Sequence, residues 1–223
     1  MKPYYQDDLV TLFHGDCLEV TEWLRADVLV TDPPYGVGWM AGGLNDKKSV
    51  RNLAEQSIKS DEDTAARDDA LALWGDRPSV VFGSWRKPLA KVPNHRLIWH
   101  KGNRQPGITS AAFYPVEEEI WLTGSGWKAA TPIPNVITTH ESRARQPALI
   151  GHPTPKPIGL METLIAACPD GVIADPFSGS GATLIAARNL GRSSIGVEYE
   201  DKYCELIATR LSQQAFDLEG LLP

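Results

Sequence analysis

The sequence predicts an α/β domain built on a mostly parallel sheet, and three observations carry that expectation. Strand-forming runs alternate with segments of helical spacing, as in Leu9–His14, residues 17–25 and residues 27–31; such alternation marks parallel strands joined by helical crossovers. One run, Val28–Thr31, ends on Asp32-Pro33-Pro34-Tyr35. Another, Gly171–Ala174, ends on Asp175-Pro-Phe-Ser-Gly179-Ser-Gly181 and leads through a helix to a strand that stops at Glu198. Open α/β sheets bind ligands at the carboxyl ends of their strands, so both stretches fall where such a sheet carries its chemistry.

Each element has its own justification. Leu9–His14 is a strand followed by Gly15-Asp16, and Cys17, Val20 and Leu24 fall on one side of a helix over 17–25. Residues 36–60 intersperse Gly36, Gly38, Gly42 and Gly43 with Trp39, Met40 and polar side chains. No period holds there, and the expectation is a mobile loop beside the Asp32 tip, with a short helix near Val50–Gln56. Ser60 suits the cap of a helix reaching Trp74, with Asp61, Glu62 and Asp63 complementing its dipole. Ser79–Gly83 is a buried strand, and Arg96–His100 and Val116–Thr123 are a pair of strands. Residues 124–156 are rich in Gly, Pro, Ser and Thr and show little period. Beyond them come a helix over 157–167, the strand 171–174, a helix over 182–190, the strand 193–197 and an amphipathic helix over 201–213.

A chain of 223 residues, 42% hydrophobic, suits a single globular domain. No apolar run approaches the roughly 20 residues that span a bilayer, and the first eight residues lack a signal peptide's apolar segment. Cys17, Cys168 and Cys204 are far apart, without metal-like spacing, which points to reduced thiols, a cytoplasmic location and no metal site. A Cys17 nucleophile would need a base, and none is evident.

The two carboxylate-bearing loops suggest different ligands. Each proline fixes its own φ, restrains the residue before it and lacks an N–H. Asp32 and the Pro33 carbonyl are thus rigid acceptors, and Tyr35 adds a flat ring, a combination suited to a planar group that carries an amine. The second loop lets a ligand approach its backbone closely, and Glu198, 23 residues after Asp175, stands where an acid binds two ribose hydroxyls. The loop lacks both a dinucleotide fingerprint and a phosphate loop's lysine. It begins instead with Asp175, which suits an ammonium, so the amino-acid part of S-adenosylmethionine fits it.

Asp32–Tyr35, the glycine loop and His152-Pro-Thr-Pro-Lys-Pro157 together resemble the beta-order group of DNA amino-methyltransferases. In that group the catalytic motif precedes the cofactor loop, with a target-recognition segment between them. The resemblance implies a Rossmann-like S-adenosylmethionine-dependent methyltransferase fold with permuted motif order: a mostly parallel seven-stranded sheet with one antiparallel strand. It implies catalytic Asp32, Pro33, Pro34 and Tyr35. It also implies cofactor binding by Asp16, Cys17, Thr154, Lys156, Asp175, Phe177, Ser178, Gly179, Gly181 and Glu198. The implied activity is methyl transfer to the exocyclic amine of a flipped-out adenine in DNA, in a prokaryotic or phage-infected cell, in the setting of restriction and modification. The Asp form of the motif leans toward adenine; cytosine, an RNA or protein amide, and cofactor binding without catalysis are the alternatives. The family often has Gln where Pro155 stands and Thr where Ala182 stands.

Charge supplies the expected partner surface. Residues 1–76 carry 7 basic and 15 acidic side chains, residues 77–169 carry 11 and 5, and residues 170–223 carry 4 and 8, so only the middle is net positive in a chain of net −6. DNA is therefore expected across residues 77–156, with Lys101, Arg104, Lys128, Arg143 and Arg145 as contacts. The recognition segment, about 124–150, is short; a homodimer or closure of the 36–60 loop would supply what it lacks.

Overall fold

The computed structural model describes residues 1–36, 63–102, 113, 115–127, 133–139, 152 and 154–219, the last six as backbone alone. Nearly all of the expected 36–60 loop and its short helix lie outside the described residues, as does most of the recognition segment; the helix that reaches Trp74 starts at Ala65, with Thr64 rather than Ser60 at its cap.

The strands are β1 Tyr5–Gln6, β2 Val10–His14, β3 Val28–Thr31, β4 Ser79–Gly83, β5 His95–His100, β6 Glu117–Thr123, β7 Val136–Thr138, β8 Ile173–Asp175 and β9 Ser194–Glu198. The α-helices are α1 Ala65–Trp74, α2 Ile158–Ala166, α3 Ala182–Asn189 and α4 Asp201–Glu219. All the strands join one sheet in the order β1-β2-β9-β8-β3-β4-β6-β5-β7. β6 runs antiparallel to β4 and β5, β1 runs antiparallel to β2, and every other pairing is parallel. The stretch from β2 to β5 is the expected seven-stranded sheet with one antiparallel strand. The edge strands β1 and β7, of two and three residues, are too short to show a period in sequence.

Alternation along the strands sorts their side chains to two covered faces. Val28, Val30, Val80, Phe82, Trp99 and Ile120 pack under α2 and α3. Leu29, Val81, Ala174 and Val197 pack on the other face against Trp23 and the α1 residues Ala70 and Trp74. The Trp23 and Trp74 rings stack with centroids 5.8 Å apart. α4 lays Cys204, Ile207 and Leu211 on Val10, Leu12 and the α3 residues Leu184 and Ile185.

The expected helix over 17–25 does not form. Residues 17–25 are a turn and a 3₁₀ helix, Glu22–Arg25, rather than an α-helix. Asp16 captures the start of the segment: its Oδ1 accepts from Leu18 N at 2.9 Å, and its carbonyl accepts from Val20 N at 2.7 Å. The buried side chains are Cys17, Val20, Trp23 and Ala26, a spacing of three that matches 3₁₀ geometry.

Candidate active site

The parallel strands point their carboxyl ends to one rim of the sheet. β6, being antiparallel, brings its amino end to the same rim, with Glu119 opposite Gly83. Asp32 leaves the end of β3 there. Its Oδ1 accepts from the Tyr35 hydroxyl at 2.8 Å, and its Oδ2 accepts from Lys156 Nζ. The same hydroxyl lies 3.2 Å from Glu118 Oε2. Lys156 Nζ is 3.3 Å from that oxygen, and Lys101 Nζ is 2.5 Å from Glu118 Oε1. Two carboxylates and two ammoniums thus form one cluster around the Tyr35 phenol. Both lysine side chains are 7% exposed, whereas Asp32 keeps 24% of its side chain open. Burial raises the Asp32 carboxyl above its ordinary range and the Glu118 charge adds to the rise, while the Lys156 ammonium and the Tyr35 hydrogen bond oppose it. Burial and both carboxylates push the Tyr35 phenol well above its ordinary value.

The glycine loop leaves β8, next to β3, and Thr31 Oγ1 joins the two by donating to Asp175 Oδ1 at 2.7 Å. Gly179 and Gly181 have φ of 51° and 77°, left-handed conformations that glycine adopts without strain. Glu198, at the end of β9, accepts from Gly179 N at 2.7 Å and Glu200 N at 2.8 Å. Burial raises its carboxyl to about 7. Asp16 follows the adjacent β2, where Gly15 N donates to the Glu198 carbonyl at 2.9 Å. Asp16, Gly179, Gly181 and Glu198 therefore gather at one end of the rim, with Phe177 half-buried beside them. Close-approach glycines flanked by two acids fit an adenosine with free ribose hydroxyls.

Several expected residues take other places. Lys156 sits on Asp32 and Glu118 rather than by the glycine loop, because the strap from His152 to Pro157 spans the rim. At one end of the strap, a Cβ on Gly179 would lie 3.1 Å from His152 Nε2; at the other, Lys156 meets the tip. Thr154, between them, donates its N–H to His152 Nδ1 at 3.3 Å. Lys101, expected to contact DNA, is buried between Glu118 and the Trp99 ring. Asp175 is 2% exposed and already accepts from Thr31 and from Phe177 N at 3.2 Å, so little of it remains for a ligand's ammonium. Burial lifts its carboxyl to about 6. Ser178 Oγ donates to the Asp175 carbonyl at 2.9 Å. Cys17 is buried and its thiol is pushed up to about 12, chiefly by that burial, which leaves little thiolate to attack a substrate. Arg104, Lys128, Arg143 and Arg145 lie outside the described residues.

Sequence reasoning missed Glu118 and His152. The signal for Glu118 was its position in Glu117-Glu118-Glu119: strand alternation turns it away from Glu119, whose Oε1 takes Arg96 at 3.0 Å. Among the described residues, no group of His, Cys, Asp and Glu could hold a metal ion, and no helix is long and apolar enough to cross a membrane.

The model of a DNA methylase family matches residues 55–209. The Type II methyltransferase M.ScaI of Streptomyces caespitosus is 26% identical over 97% of this chain and 86% of its own length. M2.MboI of Moraxella bovis is 26% identical over 94% and 91%. Among solved structures, M1.HpyAVI in complex with SAM aligns with a TM-score of 0.61 at 22% identity, over 91% of this chain and 100% of that one. The cytosine-N4-specific PvuII DNA methyltransferase aligns at 0.59 and 18%, over 94% and 88%.

Proposed function

The chain belongs to this DNA methylase family, and from that premise we propose that it transfers the methyl group of S-adenosylmethionine to the exocyclic amine of adenine in DNA. The family is one of DNA amino-methyltransferases. The observation that best supports a working site is the Thr31–Asp175 hydrogen bond, which ties the strand end bearing Asp32 to the strand end opening the glycine loop.

S-adenosylmethionine supplies an electrophilic methyl group. The chain's part is to hold and prepare the amine. That nitrogen is a weak nucleophile because its lone pair is delocalised into the ring. Asp32 and the Pro33 carbonyl accept its hydrogens and favour a pyramidal nitrogen, so their contacts strengthen in the transition state. A base within a duplex cannot reach the recessed tip, so it is flipped out and stacks on Tyr35. Glu198 takes the ribose hydroxyls, Asp16 the adenine of the cofactor, and the loop from Phe177 to Gly181 lies close along it. Asp175 braces that loop.

Incubating the protein with unmethylated DNA and labelled S-adenosylmethionine, followed by nucleoside analysis, tests the reading. N6-methyladenine is the expected product. N4-methylcytosine would move the specificity to the other amine, and label in protein or RNA alone would overturn the proposal.

A further inference from the structure

We propose that Glu118 is a positioning residue of the transfer step, taking over the Tyr35 hydroxyl when the target amine reaches Asp32. This deepens the DNA amino-methyltransferase reading above and rests on it. A phenol has one hydrogen to give, yet this one lies 2.8 Å from Asp32 Oδ1 and 3.2 Å from Glu118 Oε2. In the free protein the shorter contact engages Oδ1, and Lys156 engages Oδ2. A target amine therefore meets a carboxylate with a donor already on each oxygen. Each such donor draws charge from the acceptor that has to strengthen as the amine becomes positive. Rotation about the phenol C–O bond moves the hydrogen to Glu118 and gives Oδ1 back to the amine.

The surroundings of Glu118 suit that exchange. β6 delivers it to the rim only because that strand runs against its neighbours. Lys101 holds Oε1 at 2.5 Å, and Lys156 lies 3.3 Å from Oε2, so the carboxylate is fixed in place and ready to accept. Lys156 touches both carboxylates and stays paired whichever one holds the hydroxyl. The phenol's ionisation is pushed well above its ordinary value, which keeps it a donor throughout. Since the Tyr35 ring is also the platform for the base, the arrival of the base and the exchange of the hydrogen bond occur at one side chain.

A double-mutant cycle in steady-state methylation of unmethylated DNA tests this, using wild type, Glu118→Gln, Tyr35→Phe and the double variant. Glu118→Gln is expected to lower kcat about tenfold or more, the worth of one hydrogen bond to a charged group. KM for S-adenosylmethionine is expected to stay unchanged. In the Tyr35→Phe background, which has no hydroxyl to redirect, the same change is expected to add little. A structural role for Glu118 would instead give losses that multiply, and that result overturns the switch while wild-type turnover leaves the parent reading intact. Wild-type protein that methylates no DNA overturns both together. Should Glu118→Gln fail to bind the cofactor in calorimetry, Glu118→Asp takes its place in the cycle, with the same two outcomes.

Discussion

In the proposed reaction Asp32 accepts hydrogen bonds from an amine while remaining partly open in a buried charge cluster. Asp32→Ala is expected to abolish methylation and to leave cofactor affinity nearly unchanged, since the carboxylate meets the base and not the cofactor. Retained turnover above about a hundredth of wild type would contradict that role, because comparable transition-state contacts are worth roughly a hundredfold or more. Glu198→Ala is expected to do the reverse, weakening S-adenosylmethionine by about 1.5–3 kcal/mol through loss of charge-assisted bonds, as read by calorimetry. Glu198 also gives a pH dependence of definite sign. Its folded-state carboxyl is raised from 4.5 to about 7. The folded protein therefore holds a proton that the unfolded chain has released, and the stability this supplies is complete below about 4.5 and lost as pH rises through about 7. Relative to Glu198→Gln, wild-type Tm should fall across that window in thermal melts without cofactor. Cofactor affinity should rise over the same window, as the accepting carboxylate forms. A wild-type and variant pair whose Tm values run parallel would refute the assignment.

At the level of elements, the strands with long apolar runs were legible because burial on both faces leaves no charged residue to blur them: β3 is four buried residues and β4 five. The glycine loop and Asp32 tip were legible because glycine and proline each answer to a specific backbone demand. β1, β7 and the 3₁₀ segment were not, since short pieces hold too few residues to set a period. The place of Lys156 at the Asp32 tip was hidden for a different reason: His152 meets the glycine loop while Lys156 meets the tip, and spacing along the chain does not say which residue reaches which end. Gly196 shows how tightly the elements at the loop are fitted. It has no unusual backbone, yet a Cβ there would lie 2.5 Å from Ser178 Oγ and 2.7 Å from Leu184 Cδ1. Gly196→Ala should therefore push β9 away from the loop and α3, destabilising the protein by about 1–3 kcal/mol. It should weaken S-adenosylmethionine as well, because Glu198 sits two residues along. Unchanged stability in denaturant titration would mean that the interface yields more readily than its distances indicate.

For the whole molecule the question is how a chain of net −6 approaches DNA. Charge is segregated, but the structure shows that part of the basic middle is committed inward. Arg77 donates to the Leu24 and Ala26 carbonyls at 2.8 Å, and Lys101 and Lys156 are buried in the tip cluster. The outward positive charge among the described residues includes Arg86 and Lys87, exposed in the turn that follows β4 on the rim beside Asp32. Trp85 stands exposed there too, with the Arg86 guanidinium 5.4 Å from its ring. Charge counting did not single out this turn, and its place on the rim beside the tip makes it the DNA contact to test. Each phosphate contact contributes about 0.9 to the slope of log affinity against log salt. Alanine at both Arg86 and Lys87 should thus flatten the slope by about 2 while the target sequence stays the same. The Arg143 and Arg145 pair, in the expected recognition segment, distinguishes the other role: alanine there should relax the target sequence if these side chains read bases, and flatten the slope if they meet phosphates. Binding measured over a salt series, with modified-base sequencing of the product, separates these outcomes. An unchanged slope in the Arg86 and Lys87 variant would remove this turn from the interface and place the DNA on another part of the rim.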